Sequence, residues 1–254
     1  MTISVVIPVK DDGEELARCL EALRRQSRRP DEIIVVDNRS SDDSAEVAAG
    51  AGATVTKCRE PGIPAASSHG YDLATGDLIL RLDADCVPPR SWVEEAAAAF
   101  ARRPDVSAFL GDARFCDGPQ SLRAPLSVIY LGAYIAATAP ALGHLPLFGS
   151  NLAMRREAWQ SVRSATHRQD TQIHDDLDLA FHIGAGHRIG FLRGTPMGIS
   201  MRPFRSKRAF AQRVYRGFRT VAVHWPHDFP PLRWGRLALG RRLMSLRTRS
   251  QATE

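Results

Sequence analysis

The sequence predicts an α/β fold with a mainly parallel sheet covered by helices. Three observations lead there. Short apolar runs recur at residues 3–9, 33–36, 53–56, 78–82 and 106–110. Stretches with apolar residues at helical spacing lie between them, and Gly, Pro, Ser and Asp gather at the junctions. Continuous apolar runs, rather than alternation, are what strands need when helices cover both faces of a sheet.

The elements follow in order. Ile3–Val9 is a strand closed by Pro8, and Leu16, Leu20 and Leu23 give the inward stripe of the next helix. Residues 33–36 form the second strand and end in Asp37. Ser40-Ser41-Asp42-Asp43 reads as a helix N-cap with acids in the first turn. Residues 53–56 make a third strand, followed by a loop with Pro61, Gly62 and Pro64 and a helix over 65–74. Gly76 precedes the fourth strand, 78–82, which delivers Asp83 and Asp85 to its end. Ser91 caps the next helix, and 106–110 is another strand. The second half is less regular: an apolar segment leads to 148–154, and helices begin at Arg155 and near Asp175-Asp176. A short strand at 189–192 and a helix over 206–223 complete it. Packing is expected to thin after Trp225-Pro226.

With 254 residues, 44% hydrophobic and 24% charged, the chain fits one large domain with a substantial core. Its four cysteines have neither CxxC nor zinc-ligand spacing, which suggests reduced thiols. Met1-Thr2-Ile3-Ser4 lacks a basic, apolar leader, so a cytoplasmic location is expected. Between Arg123 and Arg155 there is no Lys, Arg, Asp or Glu. That length could span a bilayer, but Pro125, Pro140, Gly143, His144 and Pro146 interrupt it, favouring a buried or membrane-facing helix. Net charge is +6, and Arg202 to Arg249 is arginine-rich with Asp228 its one acid. No aromatic-basic recognition motif accompanies the charge, so no nucleic-acid partner is expected. A peripheral contact with an anionic membrane, at its inner face, fits better.

Two acids one residue apart at a strand end can both reach a hard divalent cation and the diphosphate it holds. An ordinary acidic turn is the plain alternative. Three further motifs accompany Leu80 to Asp85 in a recognisable order: Ser4-Val5-Val6-Ile7-Pro8-Val9, then residues 33–42 ending in Asp37-Asn38-Arg39-Ser40-Ser41-Asp42, and later His174-Asp175-Asp176-Leu177-Asp178-Leu179. This ordered set, running from about Ile3 to about Phe218, resembles the family 2 glycosyltransferases. The resemblance implies the GT-A fold, a Rossmann-like, mainly parallel sheet flanked by helices with a smaller acceptor-side region. It implies one domain over 1–225, with a nucleotide-sugar half at 1–115 and an acceptor half at 116–225. Residues 226–254 would be a basic C-terminal tail.

The resemblance also implies roles. Pro8 and Val9 would line the nucleotide cradle. Asp37 would accept from a uracil N3–H or a guanine edge, against the plain reading of a turn-forming Asp. Asp12 falls near another acidic nucleotide contact. Asp83 would reach the ribose or the metal through water, and Asp85 would coordinate Mg²⁺ or Mn²⁺ directly. A Lewis acid there stabilises the departing diphosphate. Asp176 would be the general base, with Asp175 as the alternative, although acids also favour helix N-termini for their own sake. Gln212-Arg213-Val214-Tyr215-Arg216-Gly217 resembles the family's QxxRW element, so Arg216 or Arg213 would cover the diphosphate; a solvated basic face is the plain reading. Gly217 stands where the family has Trp. Ser67 and Ser68 replace the Arg and Asn of the family's Gly-x-x-x-Ala-Arg-Asn-x-Gly loop, which removes one phosphate-touching guanidinium.

The implied activity is inverting transfer of a sugar from a nucleotide donor, UDP-linked first and GDP-linked next. The acceptor would be a carbohydrate or a lipid-linked molecule; the apolar segment 124–147 falls on the acceptor side and could shape a site for it, with core packing an equal explanation. Two rivals stand beside it. A sugar nucleotidyltransferase would begin with a Gly-rich triphosphate loop, which Pro8-Val9-Lys10-Asp11 does not offer. A non-catalytic nucleotide-sugar-binding or membrane-associated partner protein would account for the missing Arg and Trp. Gly184-Ala185-Gly186 is not a dinucleotide fingerprint. His224 or His227 could complete the metal shell, or be an exposed loop residue.

Overall fold

The computed structural model describes residues 1–204 and 206–251. Seven strands form one sheet in the order β3-β2-β1-β4-β6-β5-β7. They are β1 Ile3–Val9, β2 Glu32–Asp37, β3 Thr54–Lys57, β4 Leu78–Arg81, β5 Ala108–Phe115, β6 Leu152–Arg155 and β7 Ile189–Ile199. All pairings are parallel except those of β6, which lies antiparallel between β4 and β5. The helices are α1 Gly13–Arg24, α2 Ser44–Gly50, α3 Ile63–Leu73, α4 Trp92–Arg102, α5 Gln120–Leu142, α6 Arg156–Val162, α7 Asp175–Gly186, α8 Lys207–Val223 and α9 Pro230–Gln251.

Alternate residues of the central strands feed two cores, because successive side chains on a strand point to opposite faces. Ile3, Val5, Ile7, Leu78 and Leu80 join Leu16, Leu20, Trp92 and Phe100 on one side of the sheet. Val6, Ile34, Val36 and Ile79 join Ala65, Tyr71, Trp159 and Leu177 on the other. Pro8 is tolerated in β1 because pairing with β4 covers only Ile3 to Val6, so its missing N–H lies beyond that ladder.

Four expectations change on this frame. Residues 152–155 are a strand, not the lead-in to a helix, and α6 starts one residue later, at Arg156. The strand at 189–192 continues to Ile199, with a register shift opposite Gly111 and Ala113 and a positive φ of 93° at Gly194. Ser91 and Asp43 occupy N-cap positions without a side-chain cap bond; Asp42 instead accepts from the Gly13 N–H (2.9 Å) and the Ser44 hydroxyl (2.5 Å). After Trp225-Pro226 most of the described side chains are exposed, yet the segment is helical and anchored. Helix α9 begins at Pro230, and Arg233 is fully buried there: Nε donates to the Leu142 carbonyl (2.7 Å), Nη2 to the Phe181 carbonyl (2.8 Å) and Nη1 to Asp228 (2.9 Å). Of the tail, residues 252–254 lie outside the described residues.

Helix α5 is long and apolar enough to cross a membrane by length and composition, and only 22% of its most apolar window is buried. Ser127, Leu131, Thr138 and Leu142 face the protein, whereas Val128 and Ile129 are 71% and 65% exposed. The Tyr134 hydroxyl donates to the Leu147 carbonyl (2.8 Å), pinning the chain beyond the helix back onto it.

Candidate active site

Ligands in open α/β sheets gather beyond the carboxyl ends of the parallel strands. The ends of β1, β2 and β4 bring Val9, Asp37 and Asp83 to that edge, Val9 and Asp37 being register partners. Asp37 is buried, and its Oδ1 accepts from the Ser40 N–H (2.9 Å), closing the turn that follows β2. Asn38 is a structural neighbour: its amide donates to the Glu60 carbonyl (2.6 Å) and its Oδ1 accepts from Gly62 N–H (2.9 Å).

Asp83 lies between two donors. Arg81 Nη2 donates to Oδ1 (2.8 Å), and the Ser150 hydroxyl donates to Oδ2 (2.6 Å). Arg81 is itself buried on β4 and also faces Asp175 at 3.5 Å. Burial works against its charge, yet Asp175 and Asp83 hold the guanidinium pKa well above its usual value. Residues 149–151 form a tight 3-10 turn that joins the two acidic motifs. Gly149 N–H donates to Asp176 Oδ2 (2.8 Å) while its neighbour Ser150 holds Asp83. Gly149 packs against the Arg81 guanidinium, which a Cβ there would have to displace. Asn151 fixes the turn from behind, donating to the Asp112 carbonyl (2.8 Å) and accepting from the Trp92 indole (2.8 Å).

The two acids that open α7 have different surroundings. Burial pushes the Asp175 carboxyl up, against the opposing pull of Arg81. Asp176 is half-buried, and its Oδ1 accepts from the Leu177 N–H (2.8 Å). On the far wall, Arg213 donates to the Tyr130 hydroxyl (2.9 Å). Although burial opposes it, Tyr130, Asp83 and Asp176 together raise the Arg213 pKa, so this guanidinium looks onto both acids. Among the described residues, Arg216 makes no ion pair with these carboxylates, and its Nε has no hydrogen-bond partner.

Asp85 and Asp12 are bridged by a residue the sequence did not single out. Arg202, in the turn after β7, donates to both oxygens of Asp12 (3.0 and 2.6 Å) and approaches Asp85 at 2.9 Å. Burial and the nearby Asp83 push the Asp85 carboxyl up, and Arg202 pulls it the other way. Oxygens of Asp83 and Asp85 and the Cys86 sulfur lie within 4.8 Å of one another. Burial keeps the Cys86 thiol protonated, leaving two hard carboxylates as the donor set, which suits Mg²⁺ or Mn²⁺.

Several expected residues lie apart. Ser67 and Ser68 are buried in α3, beside Asp175 and Asp178. His224 is neither an exposed loop residue nor beside Asp85: it is buried at the end of α8, 3.2 Å from Asp178. His227 is exposed. Sequence reading also missed Arg81, Gly149 and Ser150. The signals were present, an arginine inside an apolar strand and a Gly-Ser-Asn run, but neither says which carboxylate it meets.

The model of glycosyl transferase family 2 matches residues 4–163. Among curated relatives, the glycosyltransferase AglE of Haloferax volcanii is 29% identical over 107 residues, 39% of this chain and 35% of that protein. The undecaprenyl-phosphate 4-deoxy-4-formamido-L-arabinose transferase of Serratia proteamaculans is 38% identical over 97 residues, 34% of this chain and 30% of that protein. The matched segments thus span about a third of these relatives. Among solved structures, the Pyrobaculum calidifontis mannosyltransferase PcManGT, in complex with GDP-Man and Mn²⁺, superposes with a TM-score of 0.66 at 17% identity, covering 96% of this chain and 75% of that one. Glucosyl-3-phosphoglycerate synthase from Mycobacterium tuberculosis, with Mn²⁺, UDP and glucosyl-3-phosphoglycerate, gives 0.62 at 18% identity, covering 87% and 79%.

Proposed function

The chain belongs to glycosyl transferase family 2 and has the GT-A fold, and from that premise we propose that it transfers a sugar from a nucleoside-diphosphate donor to an acceptor hydroxyl, with inversion. UDP is the first choice of nucleotide and GDP the second. The observation that carries this reading is the network joining the two acidic motifs: Arg81 and Ser150 hold Asp83, while Gly149 of the same turn holds Asp176. In this reading one turn holds a donor-side acid and an acceptor-side acid near each other, as bond-making between two bound substrates needs.

In this reading Asp176 takes the proton of the acceptor hydroxyl. The oxygen attacks the anomeric carbon, the carbon–oxygen bond to the diphosphate breaks, and the nucleoside diphosphate leaves. Asp176 is preferred to Asp175 because Asp175 is engaged with buried Arg81, whereas Asp176 faces Tyr130 and Arg213. Arg213, rather than Arg216, is the guanidinium near the developing negative charge. Asp85 and Asp83 would hold Mg²⁺ or Mn²⁺, which supplies Lewis-acid stabilisation of the leaving group. Asp37 and the β1 end, Pro8 and Val9, would receive the nucleotide, with Asp12 as a further contact.

A lipid-linked acceptor is the reading for the other substrate. Its support is the apolar α5, which carries Arg123 as its one charged residue and leaves Val128 and Ile129 outside, and relatives named for undecaprenyl-phosphate. Exposed Phe210, Tyr215, Phe218 and Trp225 beside the arginines of α8 support peripheral contact with an anionic membrane at its inner face.

The test compares Mn²⁺-dependent release of UDP from a panel of UDP-sugars by the native chain and by Asp176→Asn. Asp176→Asn should lower kcat by about 10²–10⁴-fold, the usual weight of a general base, while UDP still raises the melting temperature. Retained UDP binding with no turnover by either chain, on any sugar or acceptor lipid, would sink the enzymatic reading in favour of a binding module.

A further inference from the structure

A second cluster of side chains lies away from the carboxylates described above. Asp178 and His182 sit one turn apart on α7, His167 comes from the loop before it, and His224 closes α8. One oxygen of Asp178, Oδ1, is 2.7 Å from His167 Nδ1, 3.2 Å from His224 Nε2 and 3.5 Å from His182 Nε2. One ligand atom from each of the four residues falls within 4.8 Å of all the others.

The unsatisfied atoms are the telling part. His224 Nδ1 lies 2.7 Å from the Thr220 carbonyl, which can only accept, so that nitrogen carries a hydrogen and Nε2 is the atom turned to the Asp178 carboxylate. Neither His224 Nε2 nor His182 Nε2 has a hydrogen-bond partner, and both atoms are buried. The three rings converge with centroids 5.1–5.8 Å apart, and His224 is stacked on Phe181 at 4.0 Å. Unpaired polar atoms are costly in an interior.

We propose that His167, Asp178, His182 and His224 form a binding site for a divalent transition-metal ion of the zinc class. Three imidazoles and a carboxylate are a borderline-soft N₃O set, suited to Zn²⁺ and unsuited to Mg²⁺ or Ca²⁺. Tetrahedral bonds of about 2.0–2.1 Å put ligand atoms roughly 3.3 Å apart, close to the observed separations around Asp178. The Thr220 carbonyl on His224 Nδ1 orients the ring as outer partners of metal-bound histidines do. Four protein ligands leave no open coordination position, so the site is structural. It clasps the 163–174 loop and α7 to the end of α8, the two helices that carry Asp176 and Arg213. The site is separate from the Asp83–Asp85 pair and does not depend on the transferase reading.

The test uses the full chain, freed of metal by a chelator and titrated with Co²⁺, a coloured substitute for Zn²⁺. Equimolar uptake with visible absorption of tetrahedral intensity, displaced by Zn²⁺, is expected. His182→Ala, at the less buried of the two α7 ligands, and His224→Ala should lose the band while circular dichroism reports the fold. Asp83→Asn and Asp85→Asn should keep it. A native chain with no tetrahedral band at saturating Co²⁺ overturns the proposal. So does a band that survives His182→Ala and disappears in Asp85→Asn.

Discussion

Arg81 is the side chain on which both acidic motifs depend. A guanidinium in the middle of an apolar strand is costly to desolvate, and it persists only with well-placed acceptors. Here Asp83 and Asp175 supply them, one from each motif. Gly149 makes room for it, since a Cβ there would have to displace the guanidinium. Gly149→Ala should therefore lower the unfolding free energy by about 1–3 kcal/mol, the cost of overpacking an interior, read as a lower urea midpoint. An unchanged midpoint would show that Arg81 can move aside. Asp83, Asp85 and Asp176 were legible in the sequence because their motifs are local in the chain. Arg202, Arg81 and Gly149 were not, because each meets a carboxylate far along the chain, Asp12, Asp175 and Asp176 respectively.

Helices α5 and α8 show how one element can serve both core and surface. In α5 only four residues are buried, and Val128 and Ile129 point outward. Burying a Val or Ile side chain contributes roughly 1.5–3 kcal/mol, so these two positions would matter to a bilayer contact. A Val128→Ser/Ile129→Ser double variant should bind phosphatidylglycerol vesicles about tenfold more weakly or worse in sedimentation. Its melting temperature should stay within the small range of surface changes. Equal vesicle binding by both chains would remove α5 from any membrane surface. Helix α8 was legible in the sequence, but not which arginine it presents: Arg213 faces the acids because Tyr130 of α5 receives it.

At the scale of the whole molecule, the C-terminal helix is part of the fold through Arg233. Its guanidinium meets two backbone carbonyls, one from α5 and one from α7, as well as Asp228. Those carbonyls lie 91 and 52 residues away, and the contact therefore ties the last helix to α5 and α7. Arg233→Ala should destabilise the chain by about 3 kcal/mol, the cost of breaking a buried charged network, again read from the urea midpoint. No change would return α9 to the status of an appended tail. The pattern hid this because the buried residue at the contact is charged, and hydrophobic periodicity cannot register it.

The amino-acid sequence by itself determined the strand–helix alternation, the parallel core and the identity of the acidic motifs, since these rest on side-chain period and neighbours a few residues apart. Tertiary structure alone decided that β6 enters the sheet antiparallel, that a Gly-Ser-Asn turn couples Asp83 to Asp176, and that three histidines meet Asp178. Each of those outcomes joins segments tens of residues apart, where chain distance carries no geometric information until the sheet has closed.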